Sequence, residues 1–372
     1  MKTRAAVVVE PGKPIEIEEL ELDKPQAGEV LIRYTHAGLC HSDVHVAHGD
    51  LEARLPMVLG HEGAGIIEEV GPGVTRVKVG DHVVCSFIPN CGTCRYCASG
   101  QQSICDMGAT ILEGYLPGEH FPYKGKRGDY GAMCMLGTFS QWGVIHQNSC
   151  VPVDDDLPLE KAVLVGCGVP TGWGSAVNTA NVRPGQTVMV SGVGGIGINA
   201  VQGARYAGAK YVVAVDPLEN KREKAMELGA THAFATVEEA QEAITDLTRG
   251  QMADSAILTP GLMTSEIVAG GFNAVGKGGV VVLTGLNKVM EPNIQLPGTV
   301  MTLYRKSLKG SLFGDCNPTV DIPKILGLYQ SGDLKLDEII TRTYTLDQVQ
   351  EGYDDLLAGK NVRGVVIHEH AA

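Results

Sequence analysis

One stretch constrains the fold of this chain more than any other: residues 186 to 209, "QTVMVSGVGGIGINAVQGARYAGA". It opens with a short apolar, β-branched run (186–192). It closes with a segment (195–209) in which Ile196, Ala200, Val201, Ala204 and Ala207 recur at helical spacing. Where the two meet, Gly192, Gly194 and Gly197 spell G-x-G-x-x-G, with Gly195 inside the loop. Such glycines permit a tight turn and let the backbone approach a pyrophosphate whose charge sits at the helix N-terminus. Alone the pattern is weak, but here Asp216 ends the next strand-like run about 20 residues further on, where the dinucleotide fold needs an acid. A carboxylate there accepts hydrogen bonds from the adenosine ribose hydroxyls and repels a 2′-phosphate. The coenzyme expected is NAD rather than NADP.

The strand-then-helix rhythm continues on both sides of that acid. "KYVVAVD" (210–216), "THAFAT", "DSAILT" and "GVVVLTG" (279–285) read as strands, whereas "ENKREKAMELG" (219–229), "VEEAQEAITDLTRG" and "SEIVAGGFNAVGKG" read as helices, the last weakened by its glycines. Alternation of this kind builds a parallel sheet covered by helices on both faces. The first 160 residues differ, with short strands such as "AAVVVE" and "EVLIRYTHAG", many Gly and Pro turns and few helical windows. After residue 310 an amphipathic stretch, "LDQVQEGYDDLLAGK", precedes an apolar strand, "RGVVIHEH". The expected fold is therefore α/β plus β: a β-rich domain (1–168), an inserted doubly wound domain (169–311) and a C-terminal return (312–372) that completes the first, with the site in the cleft between the domains.

Four cysteines, Cys91, Cys94, Cys97 and Cys105, occupy a single loop with the spacing C-x2-C-x2-C-x7-C. In a reducing compartment this spacing fits metal ligands better than disulfides. Four thiolates complete a tetrahedral shell around Zn2+ and leave no position for water or substrate, so a zinc held there is structural. The chemistry belongs elsewhere.

Charge and composition narrow the partners. A formal net charge of −13 without a basic cluster argues against nucleic acid or an anionic membrane, and no run of about 18 apolar residues appears. The opening "MKTRAAVVVEPGKPIEIEEL" lacks the apolar core and cleavage site of a signal peptide, which leads to a cytoplasmic expectation.

Three further segments carry metal-ligand residue types, each expected in a Gly-rich turn: "GLCHSDVH" (38–45), "GHEGAG" (60–65) and "VGCGVPTGWG" (165–174). Singly each is weak, because a lone cysteine is often a small buried hydrophobe and a lone histidine a structural one. Together with "GHEGAGIIEEVGPGVTRVKVGDHVV", "CGTCRYC", "GCGVPTGWGSAV" and "SGVGGIG", the chain resembles, nearly end to end, the zinc-dependent alcohol dehydrogenases of the medium-chain dehydrogenase/reductase superfamily. That resemblance implies a GroES-like β-rich catalytic domain with an inserted Rossmann domain. It also implies two zinc ions per chain, one catalytic and one structural.

Carried over by motif, the resemblance makes Cys40, His61 and Cys167 the ligands of the catalytic zinc, Glu62 a neighbour able to visit the metal, and Asp43 the carboxylate that orients the histidine ligand. Bound zinc lowers the pKa of a hydroxyl by many units. Ser42 and His45 fit the family's proton relay; imidazole titrates near pH ~6.5 in water, which suits general-base work. Lys221 matches the lysine on the adenosine ribose, Arg363 the arginine on the pyrophosphate, and Thr171 a residue packing on the nicotinamide face. His41 stands where some members carry arginine and is a weaker phosphate contact, so looser coenzyme is expected at that point. Phe87, Trp142 and residues 107–136 are expected to line or cover the substrate channel.

Within the family, "CSFIPNCGTCRYC", "LVGCGVPTGWGSAVN", "INAVQGA", "VDPLENKRE" and "IITRTYTLDQVQEGYDDLLAGKNVRGVV" look like the actinobacterial nicotinoprotein, or N,N-dimethyl-4-nitrosoaniline-dependent, alcohol dehydrogenases. That implies oxidation of primary alcohols and interconversion of aldehydes with NAD(H) kept bound, reoxidised in place by an acceptor such as mycofactocin, in a homo-oligomer. The rivals are an NAD-exchanging zinc alcohol dehydrogenase, a glutathione-dependent formaldehyde dehydrogenase, and a nonenzymatic relative, which would be expected to have lost its zinc ligands.

Overall fold

The computed structural model describes residues 1–286 and 294–370. The chain divides into two compact units: Met1–Cys167, Asn317–Gly332 and Leu336–Ala372 form the first, and Gly168–Cys316 with Asp333–Lys335 form the second. Residues 312–316, expected with the C-terminal return, fold with the second unit instead.

Among the described residues, the second unit holds six strands in the order His232–Phe234, Tyr211–Val215, Thr187–Ser191, Ala253–Leu258, Val275–Leu283, Ser307–Gly310, every neighbouring pair parallel. Val188, Met189 and Val190 are all fully buried, so successive side chains on opposite faces of the sheet are both covered. Helices Gly197–Tyr206, Glu219–Glu227, Val237–Leu247 and Ser265–Ala274 supply that cover, and Met189, Val213, Ile244, Leu258 and Phe272 share one core. Strand order reverses between Thr187–Ser191 and Ala253–Leu258, and the glycine loop leaves the carboxyl end of the first of these. A switch point of this kind is where doubly wound sheets bind ligands. One expected helix is shorter than its sequence suggests. It stops at Ala274, and Val275–Gly278 join the next strand, because Val275 is buried in register with Ala253 and the glycines offer little helix propensity.

In the first unit, Lys2–Val8, Glu16–Leu22, Tyr123–Gly125, Gly128–Ala132 and Met57–Val58 close a small barrel around Leu20, Tyr123 and Tyr130. A second sheet runs Cys150–Pro152, His82–Cys85, Glu62–Val70, Glu29–Gly38, Arg363–Ile367, Ile340–Tyr344, with Trp142–His146 also on Glu29–Gly38. The C-terminal strand pairs Val365 with Gly38, and Gly38 in turn faces Glu62. Three distant segments thus converge on one sheet corner.

Cys167 itself lies in a turn, but most of the ligand-bearing segments are more regular than their glycines suggest. His41–His48 is a helix that starts at Cys40 and ends at Gly49, whose φ of 79° makes a left-handed cap. Gly168–Gly174 is also helical. Its Pro170 falls in the first turn, where no amide donor is required. Its glycines serve close packing: a Cβ at Gly172 would stand 2.0 Å from the Ile196 carbonyl oxygen.

Candidate active site

The sheet corner gathers Cys40, His61, Glu62 and Cys167, whose ligand atoms all lie within 4.8 Å of one another. All four residues are buried, Glu62 completely. Gly38 is required opposite Glu62, since a Cβ there would sit 2.1 Å from the carboxylate oxygen Oε2. Asp43 lies one helical turn beyond Cys40; its Oδ1 accepts the Gly60 amide at 2.9 Å and its Oδ2 is 3.2 Å from His61 Nδ1. The other ring nitrogen of His61, Nε2, is buried without a hydrogen-bond partner among the described residues. A buried orphan acceptor beside two thiols is the donor set a zinc ion would satisfy. The two thiols differ: a hydrogen bond from Cys167 holds Cys40 well below the usual thiol range against the opposing effect of burial, helped by the nearby His61, whereas the same bond and then burial push Cys167 well above it. Burial pushes Glu62 up to about 7, and the Arg363 guanidinium, ion-paired to Glu62 Oε2, works against that rise.

Ser42 and His45 follow on the same helix. Ser42 Oγ is 3.7 Å from Cys40 Sγ, and the His45 ring lies 6.5 Å from that of His41, one turn away. His45 Nδ1 is 3.1 Å from Asp50 Oδ2, which fixes one edge of the imidazole. Asp50 was not singled out by the sequence. Its signal was the Gly49 helix stop, which turns the chain back so that the next residue faces the helix it has just left.

The four-cysteine loop forms the second cluster, its sulfurs also mutually within 4.8 Å. Cys91 and Cys97 sulfurs are 3.9 Å apart and those of Cys94 and Cys105 are 4.0 Å apart. Tetrahedral zinc–thiolate bonds of about 2.3 Å demand sulfur separations of about 3.8 Å. Backbone amides of Cys94 and Cys97 point at the sulfurs of Cys91 and Cys94, at 3.3 and 3.4 Å. Although burial opposes it, the Cys94 and Thr93 amides bring Cys91 down to about 6.

In the second unit, Gly192 has φ 84°, and a Cβ on Gly197 would stand 1.8 Å from its carbonyl oxygen. At Gly194 the space is open, and an added Cβ would meet only Lys221 Nζ, at 3.8 Å. A bare backbone faced by one cation suits a pyrophosphate. Asp216 directly follows its strand, with Oδ2 accepting from Val193 N and Oδ1 from Leu218 N, each at 3.0 Å. Thr171 is buried in the helix Gly168–Gly174, and its carbonyl accepts the Ser175 hydroxyl at 2.7 Å. Arg363 is 2 % exposed and ion-paired to Glu62. Phe87 stands edge-on to His61 at 5.8 Å, whereas Trp142 packs on His370 at 5.5 Å and on the barrel core. Within segment 107–136, Tyr123–Gly125 and Gly128–Ala132 form part of the barrel wall, and Cys134 lies close enough to feel the charge of His61.

Known proteins agree with this arrangement. A family model described as "Alcohol dehydrogenase GroES-like domain" matches residues 26–155, and one described as "Zinc-binding dehydrogenase" matches residues 195–331. The chain is 61% identical to the "NDMA-dependent alcohol dehydrogenase" of Amycolatopsis methanolica, over 99% of each chain. It is 44% identical to "Alcohol dehydrogenase B" of Mycobacterium tuberculosis, over 98% of each. Among solved structures, benzyl alcohol dehydrogenase from Acinetobacter calcoaceticus superposes with a TM-score of 0.92 at 29% identity, covering 99% of this chain and 100% of that one. Full-length identity of this extent, on a fold that already carries both clusters and the glycine loop, shows that the chain belongs to the zinc-dependent medium-chain alcohol dehydrogenases and is a zinc- and NAD-dependent oxidoreductase.

Proposed function

We propose that the enzyme oxidises primary alcohols and interconverts aldehydes while keeping NAD(H) bound, a second acceptor reoxidising the coenzyme in place. The observation that carries this reading is the 61% identity, end to end, with a relative whose name states dependence on NDMA, a small nitrosoaniline dye. Cys40, His61 and Cys167 would hold the catalytic zinc with Glu62 as reserve ligand, and Cys91, Cys94, Cys97 and Cys105 the structural one. When bound, the catalytic zinc supplies Lewis-acid polarisation of the substrate oxygen. The chain's own residues do the rest. Ser42, beside Cys40, takes the hydroxyl proton, and His45, braced by Asp50, receives it and passes it outward. Asp216 reads the adenosine ribose, with the glycine loop and Lys221 on the pyrophosphate side.

The acceptor in this reading is a small redox cofactor such as mycofactocin, and the protein is a homo-oligomer; both rest on the resemblance. A cytoplasmic setting fits the ten cysteines, none of which is joined in a disulfide. No helix of the described residues is long and apolar enough to cross a membrane.

Denaturing dialysed protein and assaying the supernatant for NAD tests retention; comparing turnover of a primary alcohol with excess NAD and with the dye tests recycling. Copurified NAD and dye-dependent turnover are expected. His41 favours the second reading, in which coenzyme exchanges: protein free of NAD that turns over on added NAD and ignores the dye would establish it.

A further inference from the structure

In the second unit, Phe313, Gly314 and Asp315 follow one another with left-handed backbone, φ 57°, 64° and 53°. Two non-glycine residues in that region persist only where their surroundings hold them, and such strain gathers at functional sites. What holds them is the helix Gly168–Gly174 and the wider, π-type turn Ser175–Thr179 that continues it. Asn178 Nδ2 donates to the Gly314 carbonyl at 3.0 Å and the Thr179 hydroxyl to Asp315 Oδ2 at 2.7 Å. A Cβ on Gly314 would stand 2.3 Å from the Pro170 carbonyl oxygen and 2.9 Å from that of Thr171. Hydroxyls extend the contact: Thr179 Oγ1 is 2.8 Å from Ser311 Oγ, and Ser175 Oγ is 3.1 Å from Ser311 Oγ and 3.0 Å from Thr284 Oγ1. Each hydroxyl has one proton to give. That of Ser175 goes to the Thr171 carbonyl and that of Thr179 to Asp315, so Thr284 donates to Ser175 and Ser311 to Thr179.

We propose that Ser175, Thr179 and Ser311 are positioning residues for the nicotinamide half of the coenzyme site: their hydroxyls lock the helix that carries Thr171 to the rim of the sheet, and the lock slows coenzyme release. The inference rests on the reading that Thr171 packs on the nicotinamide. Thr284 directly follows the strand Val275–Leu283, and Ser311 the strand Ser307–Gly310. Both therefore stand at the carboxyl ends of the sheet, across the switch point from Asp216. A doubly wound sheet takes one mononucleotide on each side of that point, so with the adenosine at Asp216 the nicotinamide belongs on this side. Ser175 is fully buried and Thr179 is 3 % exposed, so solvent does not compete for their protons. A wall held in place before binding loses no freedom when the ring docks, which raises affinity and slows release.

The test pairs Thr179→Val, which removes the hydroxyl at nearly constant volume, with Thr179→Ser, which keeps it, in the full, zinc-loaded chain. Release of bound NADH is followed by its fluorescence after mixing with excess NAD. ADP-ribose, which lacks the nicotinamide, is titrated by calorimetry into protein stripped of coenzyme. Expected is about tenfold faster NADH release in Thr179→Val, ADP-ribose affinity within about twofold of wild type, and near wild-type release in Thr179→Ser. Ser311→Ala breaks the same chain one link earlier and should speed release in the same direction, so it carries the test if valine at 179 prevents folding. Unchanged NADH release in both hydroxyl-deleting variants would overturn the proposal, as would equal loss of NADH and ADP-ribose, the mark of general damage to the unit. Wild-type protein that binds ADP-ribose as tightly as NADH would instead overturn the placement of nicotinamide against this helix, so the two failures are distinguishable.

Discussion

The two sulfur-rich clusters hold similar atoms at similar separations, yet they are built in opposite ways. Cys91, Cys94, Cys97 and Cys105 come from one short loop, and two of them are partly exposed. Cys40, His61, Glu62 and Cys167 come from segments spread over the first unit, and all are buried. A loop that supplies four thiols and its own amide donors closes a metal shell locally and stabilises that loop. A set drawn from a helix start, a strand start and the segment before a second helix needs the whole sheet corner to be folded first. In return it mixes imidazole with thiolate and keeps a carboxylate, Glu62, held back by Arg363. The difference predicts that metal drives folding at the first cluster, whereas folding builds the site at the second.

The largest effect expected is at the loop. Cys94→Ser should leave aggregated or loop-unfolded protein, because binding of a structural zinc is worth about 10–16 kcal/mol, as much as the whole net stability of about 5–15 kcal/mol typical of a domain. Soluble yield and circular dichroism check this. Cys167→Ser should lower turnover by on the order of 10³-fold, the several kcal/mol that a Lewis acid contributes, with the circular dichroism spectrum retained. If both variants lost fold equally, the contrast between the clusters would break. His45→Gln should cost about tenfold in turnover near pH 7 and less near pH 9, where hydroxide substitutes for the relay base. A pH–rate profile parallel to that of wild type would take His45 out of the mechanism.

Two milder substitutions sharpen the comparison by leaving both clusters intact. Asp216→Ser should relax discrimination against NADP by about tenfold, or ~1.4 kcal/mol, as the repulsion of the 2′-phosphate is removed. Bound zinc should be unchanged. Elsewhere in the first unit, His120 hydrogen-bonds Glu29 at 2.9 Å and faces Asp23 at 3.3 Å; the Glu29 bond, against the effect of burial, raises its pKa. Because the folded value lies above the unfolded one, this stabilisation is complete below about pH 6.5 and is lost as pH rises through the folded value. His120→Gln should therefore lower Tm at pH 6 by an amount equivalent to about 1 kcal/mol and have little effect at pH 9.

The fold was legible where local pattern and tertiary role coincide. Val188–Val190 read as a buried strand because they are one, and the glycines of the loop are required by the same backbone geometry that the motif encodes. The thiol loop was legible because its ligands are sequence neighbours. Helices His41–His48 and Gly168–Gly174 were hidden because their glycines and proline serve caps and close packing, which sequence alone reads as turns. Asp50 was hidden for a different reason: it becomes a partner only after the helix stops. The buried pairing of Arg363 with Glu62 was hidden too, because it depends on the Arg363–Ile367 and Glu62–Val70 strands flanking Glu29–Gly38, which no local spacing discloses.

Metal content bears on the central claim most directly: zinc per chain, by elemental analysis, in fully loaded wild type and in Cys167→Ser. The two clusters predict two zinc ions in the wild type, and one in a folded, inactive variant. A single zinc in fully active wild type, or a variant that keeps two zinc ions and full turnover, would contradict the division of structure from chemistry between the two sites.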